Sequence, residues 1–356
     1  MNPVTSLYLD AVRFTAAMTV FLGHVGAARD PLFVPPEVSR WLSGFSLCMD
    51  EAVVIFFVLS GFVIAHATEG RRVSATDYAV ARLARIYSVA LPALLATFLL
   101  DGIGRAIRPE IYQPLALLPY LGAFLFVNQL WYLDTGVGSN APYWSLNYEV
   151  WYYLLFALLT FAAGWRRLVG VLAVLLFCGP QISLYFLLWL AGVGLYRLVN
   201  TARLPRGLAW LLCLGGPVIF AAAALHGVPG EAQVLAFFAW IILDSNILHD
   251  SVIALGFGMH LLGFHALVAG RGADFGWPGR AVRWLAGATF TIYLFHLPVS
   301  RLLVALLPWP PTAWSAPVIL GGGFLVLLAI SEVTERRKQV WQRLFRALLP
   351  RAMVRA

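Results

Sequence analysis

Charged residues are scarce in this chain: they make up 12% of its 356 residues, against 61% hydrophobic ones. A soluble protein of this length carries about twice that charged share, roughly 25%. The shortage excludes a soluble globular enzyme. Acidic residues are fewer than basic ones, 17 against 25, for a net charge of +8. That excess does not point to nucleic acid, because the arginines cluster between apolar segments rather than along one soluble face. They read instead as topology signals. Cysteine is also sparse. Cys48, Cys178 and Cys213 show no metal-ligand spacing and make no disulfide framework, and no metal is expected. No G-x-S-x-G elbow surrounds Ser60, so a serine nucleophile is not expected there. There is no low-complexity linker and no clear internal repeat. At the N-terminus no positive residue precedes the first apolar run and Arg13 interrupts it, so the run is expected to stay attached as a first span.

What the chain has in quantity is apolar stretches of about 20 residues, each long enough to cross a lipid bilayer as a helix. The expected fold is all-α: a polytopic membrane protein of about ten spans. They fall near 7–28, 51–68, 79–101, 146–164, 168–180, 183–199, 208–226, 252–269, 284–306 and 313–333. Arg71, Arg72, Arg82, Arg85, Arg166, Arg167, Arg197, Arg203, Arg206, Arg271, Arg280 and Arg283 mark one side, as does the tail ERRKQVWQRLFR. Placing that side in the cytoplasm puts both termini there. The segment 115–127 is too short to span and is expected to be re-entrant or interfacial. The stretch 232–248 is read as interfacial, since a span there would send the basic tail outside. Residues 1–340 form the membrane domain and 341–356 a basic cytoplasmic tail.

Ionisable residues inside spans are expensive and are functional candidates by default. Arg13 and His24 lie eleven residues apart in the first apolar segment. That is about three helical turns, so both leave one helix face roughly 16 Å apart along the axis. A neutral imidazole can take a proton from a hydroxyl, although a hydrogen-bonded structural histidine fits the same pattern. Arg82 and Arg85 share a face and suit bidentate phosphate binding or plain anchoring at the membrane surface. In NAPYWSLNYEVWYY, Ser145 and Glu149 are an i, i+4 pair. Trp144, Trp151, Tyr152 and Tyr153 read as an interfacial belt or as sugar-stacking rings, and Ser145 as a helix cap or a ligand. Tyr293 and His296 are i, i+3 at an outer helix end, with Pro298 closing the turn. Ser60-Gly61 in FFVLSGFVIAHA permits close helix packing. His249 and Asp250 lack a third partner at metal-binding spacing.

Taken in order, these segments resemble the membrane acyltransferase-3 family. The elements are R-x10-H at Arg13–His24, FFVLSGF at 56–62, R-x-x-R at Arg82–Arg85, WSLNYE at 144–149 and IYLFH at 292–296. The position before FF that is acidic in many members is Val54 here, with Asp50 and Glu51 upstream. The resemblance implies an O-acyltransferase of the bacterial inner membrane. It would move an acyl group, commonly acetyl, from cytoplasmic acyl-CoA to a hydroxyl of a sugar or glycan on the outer side. It implies Arg82 and Arg85 on the CoA phosphates, with Arg13 lining the path. His24 would be the general base or acyl carrier, with Glu149 as its candidate catalytic partner. Trp144, Ser145, Tyr293 and His296 would shape the acceptor pocket, the last two at its outer rim. A secondary transporter or flippase for a polar or lipid-linked solute is the alternative, against which the missing repeat weighs.

Overall fold

The computed structural model describes residues 1–26, 32–69, 73–229, 246–272, 275–308 and 310–349. Arg71, Arg72, Asp244, the end of the basic tail and all but the last residues of 232–248 lie outside that set. Every regular element is helical, with no strand among the described residues. The main helices are α1 (Pro3–Val25), α2 (Pro36–Leu47), α3 (Met49–Thr68), α4 (Ala75–Ile107), α5 (Leu117–Phe124), α6 (Trp144–Phe161) and α7 (Gly164–Cys178). They continue with α8 (Pro180–Thr201), α9 (Arg206–His226), α10 (Ile247–Leu267), α11 (Gly276–Ala286), α12 (Thr289–Leu306), α13 (Gly323–Val333) and α14 (Lys338–Leu348).

Each of the ten expected segments is mostly helical over its described residues. Among the described residues, 7 helices are both long and apolar enough to cross a membrane: Pro36–Thr68, α4, α8, α9, α10, α12 and Ser315–Leu348. The helices α1, α6 and α7 fall outside this group for physical reasons. α7 has only 15 residues. α1 carries Asp10, Arg13 and His24, and α6 carries Asn147 and Glu149, so the candidate polar residues themselves lower the apolarity of their helices. The expected boundary at 340 falls within α14, which is helical to Leu348 and packs on α4.

The chain forms two compact units. The first comprises Met1–Ala16, Asp50–Arg72 and Leu168–Ala286. Its helices approach through small residues, as membrane helices do where no water-driven force separates core from lipid. A Cβ on Gly61 would come within 2.0 Å of the Trp189 carbonyl oxygen, and one on Gly192 within 2.0 Å of the Val58 oxygen. α3 and α8 therefore touch backbone to backbone. Gly216, Gly256 and Gly263 do the same for α9 and α10. Pro217 lies inside α9 and lacks an N–H, so the Cys213 carbonyl four residues earlier loses its helical partner. The His260 ring replaces it, donating from Nδ1 at 2.6 Å.

The second unit comprises Ala17–Met49, Val73–Arg167 and Gly287–Ala356. Its centre is α4, against which α12 and α14 pack. Ser74 caps α4 by accepting from the Asp77 amide. The short α5 cannot span, and its end docks on neighbouring aromatics. Tyr87 donates to the Phe124 carbonyl, Tyr143 to the Ala123 carbonyl and the Trp151 indole to the Phe126 carbonyl. Of the four aromatics read as an interfacial belt or as sugar-stacking rings, Tyr152 and Tyr153 are buried while Trp144 and Trp151 are half-buried.

Gly61→Ala places a methyl group against the Trp189 backbone. It should cost about 1–3 kcal/mol, the usual range for overpacking. The check is a lower unfolding midpoint in detergent; an unchanged midpoint would contradict the close α3–α8 contact.

Candidate functional site

His24 sits in the last turn of α1, where helical carbonyls run out of partners. Two serines of α2 supply them: Ser46 donates to the Gly23 carbonyl at 2.9 Å and Ser39 to the Gly26 carbonyl at 2.8 Å. Glycine is required at these contacts. A Cβ on Gly23 would sit 2.9 Å from the Phe45 oxygen, and one on Gly26 would sit 2.3 Å from the Leu42 Cβ. The end of α1 is thus pinned to α2, and His24 is aimed by that contact.

The ring of His24 meets the ring of His296, with centroids 5.1 Å apart. Two main-chain carbonyls decide where the protons are. His296 Nδ1 lies 3.0 Å from the Ile292 oxygen and His24 Nδ1 lies 2.9 Å from the Val20 oxygen. A carbonyl only accepts, so both Nδ1 atoms carry hydrogen in the uncharged rings. The Nε2 of His296 is then an acceptor, 3.3 Å from His24 Nδ1. The basic nitrogen of His24 is its Nε2, so the dyad fixes which atom of His24 can take a proton. His296 was expected at an outer rim; it is 0% exposed and lies behind His24.

α12 carries a row of ring side chains that includes two of the candidate residues. Phe290, Tyr293 and His296 recur at three-residue intervals, so each neighbours the next on the helix surface. The Arg85 guanidinium lies 5.8 Å from the Phe290 ring centroid. Tyr293 and Ser145 share a hydrogen bond of 2.8 Å between hydroxyls, so Ser145 reaches across to α12 rather than capping α6. From Phe290 to His296 is six residues, about 9 Å of helix. Pro298 does not close a turn as expected; it stands inside α12 and frees the Leu294 carbonyl. Asn140 donates to that oxygen at 2.8 Å.

At the start of α12 the backbone N–H groups of Phe290 and Thr291 donate to Glu335 Oε2 at 3.0 and 3.1 Å. The carboxylate therefore caps the positive end of the helix. Arg85 lies within electrostatic reach of Glu335, Glu149 and Tyr153, and hydrogen-bonds the Tyr153 side chain. Tyr153 in turn donates to Glu149. The Arg82 guanidinium lies over two rings, 5.8 Å from the Tyr78 centroid and 5.7 Å from that of Tyr153. Its Nε is buried with no hydrogen-bond acceptor among the described residues. A phosphate oxygen would satisfy such a donor. Trp144 stands at the first position of α6, its ring edge-on to Tyr148.

A family model described as an acyltransferase domain matches residues 6–334. The chain belongs to the acyltransferase-3 family. It is similar to the acyltransferase MdmB of Streptomyces mycarofaciens, with 32% identity over 172 residues. That alignment covers 47% of this chain and 40% of the relative, so the match spans less than half of either. No solved structure matches.

The second unit of this acyltransferase-3 member brings His24, His296, Arg82, Arg85, Glu149, Ser145, Trp144 and Tyr293 into one body. Arg13 lies on the same helix as His24 but belongs to the first unit, where it and Arg283 are both electrostatic neighbours of Asp10. Sequence reasoning missed Glu335, Ser39, Ser46 and Asn140. The two serines share a face, seven residues apart on α2, which is the signal that was available. The first unit also joins residues that the sequence left scattered. His249 reaches Glu51 at 3.6 Å and Asp250 at 3.4 Å, and Tyr185 donates to Asp250 at 2.6 Å. Among the described residues, no three or more histidine, cysteine or carboxylate side chains are arranged so that they could hold a metal ion.

Glu335→Ala leaves the first N–H groups of α12 uncapped inside the protein. A loss of about 1–2 kcal/mol is expected, as for other N-caps. Thermal unfolding measures it, and a Gln variant, which keeps an acceptor oxygen, should recover part of the loss.

Proposed function

We propose that this protein is an O-acyltransferase of the bacterial inner membrane. It moves an acyl group, acetyl in the first instance, from acyl-CoA at the cytoplasmic face to a hydroxyl of a sugar or glycan on the outer side. Family membership supports the reaction type. The observation that carries the reading is the α12 row, which links a cationic cluster to an oriented histidine within about 9 Å of helix.

The donor supplies a thioester, and the residues do the rest. Arg82 and Arg85 hold the donor's phosphates through guanidinium forks. His24 Nε2 takes the proton of the acceptor hydroxyl as its oxygen attacks the thioester carbonyl carbon. The imidazolium so formed keeps its Nδ1–H against the Val20 carbonyl and the His296 ring. As the tetrahedral intermediate collapses, the C–S bond breaks and His24 returns the proton to the leaving sulfur. The products are an O-acyl ester and free CoA. His296 touches neither reactant; it is a positioning residue. Ser145, Tyr293, Trp144 and Glu149 shape the space in front of the dyad.

His24→Ala should lower transfer by about 100-fold or more, the worth of a general base. The assay is transfer of label from radiolabelled acetyl-CoA to a glycan fraction in membranes holding equal amounts of each protein. Normal transfer by the variant would end the role given to His24. Arg82→Ala should raise the KM for acetyl-CoA about tenfold, the equivalent of one charge-assisted hydrogen bond. An unchanged KM would leave Arg82 as a membrane-surface anchor.

A further inference from the structure

The far end of α4 carries a second polar cluster, which shares Asn140 with the site above. Asp101 stands sixteen residues beyond Arg85 on α4, about 24 Å along the helix. It is buried, and it accepts from the Ser139 amide at 2.7 Å and the Ser139 hydroxyl at 2.6 Å. Gly138 has φ +52°. A Cβ there would lie 2.2 Å from Asp101 Oδ2 and 2.5 Å from the Tyr120 hydroxyl, so glycine keeps both oxygens clear. The Arg301 guanidinium lies 6.0 Å from the Tyr112 ring centroid, and Asp101 and Arg301 are in electrostatic contact with each other and with Tyr112. One turn earlier on the face of Asp101, Thr97 accepts from Asn140 at 3.1 Å.

This cluster is rich in buried polar atoms that no described residue satisfies. They are the hydroxyls of Tyr112 and Tyr120, Oδ1 of Asn140 and Nε of Arg301. Asn140 is 0% exposed and Tyr112 is 9% exposed. Native interiors rarely leave such groups unmet, and several in one place point to a ligand that meets them. Their chemistry defines that ligand. Asp101 and Arg301 offset one another, so neither an anion nor a cation is favoured. Donors and acceptors alternate, and the Tyr112 ring offers a flat apolar face. A neutral polyhydroxylated ring matches all three features.

We propose that Asp101, Tyr112, Tyr120, Asn140 and Arg301 form the subsite that binds the acceptor's sugar ring. This rests on the acyl-transfer reading for its purpose, though not for its chemistry. The subsite is tied to the reaction centre through Asn140, whose amide also holds the Leu294 carbonyl on the helix that carries His296. Ser300, one turn beyond His296 and next to Arg301 on α12, is buried with no partner for its hydroxyl among the described residues.

The test measures binding directly. Full-length protein in lipid nanodiscs is exposed to a panel of methyl glycosides, and saturation-transfer NMR reports dissociation constants. Wild type should bind at least one member. Tyr112→Phe and Tyr120→Phe, which remove one hydroxyl each and keep the ring, should each weaken binding about tenfold, as one hydrogen bond is worth. Hydrogen exchange in 109–143 should slow when the wild type is loaded with the same glycoside, a readout that needs no variant. Equal affinity in both variants, or no glycoside bound by wild type, would overturn the subsite. Acetyl transfer to the same glycosides is followed in parallel. Binding that depends on the two phenols without any transfer keeps the subsite and removes the enzymatic reading.

Discussion

The arrangement depends on two main-chain carbonyls, those of Val20 and Ile292. In a helix interior a carbonyl is normally spoken for by the amide four residues on, yet here each also accepts a hydrogen bond from an imidazole Nδ1–H. Because a carbonyl cannot donate, it dictates the tautomer of the ring it touches. Two rings constrained in this way can pair in only one sense, with His296 accepting and His24 presenting Nε2. The orientation of a reactive nitrogen is thus set by backbone geometry, which no side-chain substitution nearby can easily reassign. The Ser39 and Ser46 contacts serve the same end, holding the last turn of α1 where the pairing can occur.

The charged cluster follows a related rule. Isolated charges inside a span are costly, and pairing one charge with several dipoles reduces that cost. Glu335 receives the amides that begin α12, Arg85 lies between Glu335 and the Tyr153–Glu149 pair, and Arg82 rests on aromatic faces. Most positions are answered from within the unit. The Nε of Arg82 is an exception, which is why it counts as a binding feature and not only as an anchor.

Much of this was legible in the sequence, for identifiable reasons. Apolar runs of bilayer length gave the helices, and i, i+3 and i, i+11 spacings gave the faces. Arg82 with Arg85, Ser145 with Glu149, and Tyr293 with His296 were found because helical periodicity is a local property. The His24–His296 contact was not legible, since it joins helices 272 residues apart and no spacing rule reaches that far. Glu335 hid among arginines in a segment that reads as a topology signal. Pro298 looked like a terminator because proline usually is one; in the interior, a neighbour's amide can take the place of the missing helical bond.

Among the described residues a neighbour's side-chain N–H fills such a gap at Leu294, from Asn140, and at Cys213, from His260. The consequence is mechanical. A helix that has lost one rung of its own ladder bends there at little cost, and its stiffness is lent by whichever side chain bridges the gap. In α12 the soft point falls between the dyad and Arg301. The two halves of the helix can therefore tilt by small angles about Pro298 without breaking any bond of their own. The lender of stiffness is Asn140, so the compliance of the helix is governed from outside it.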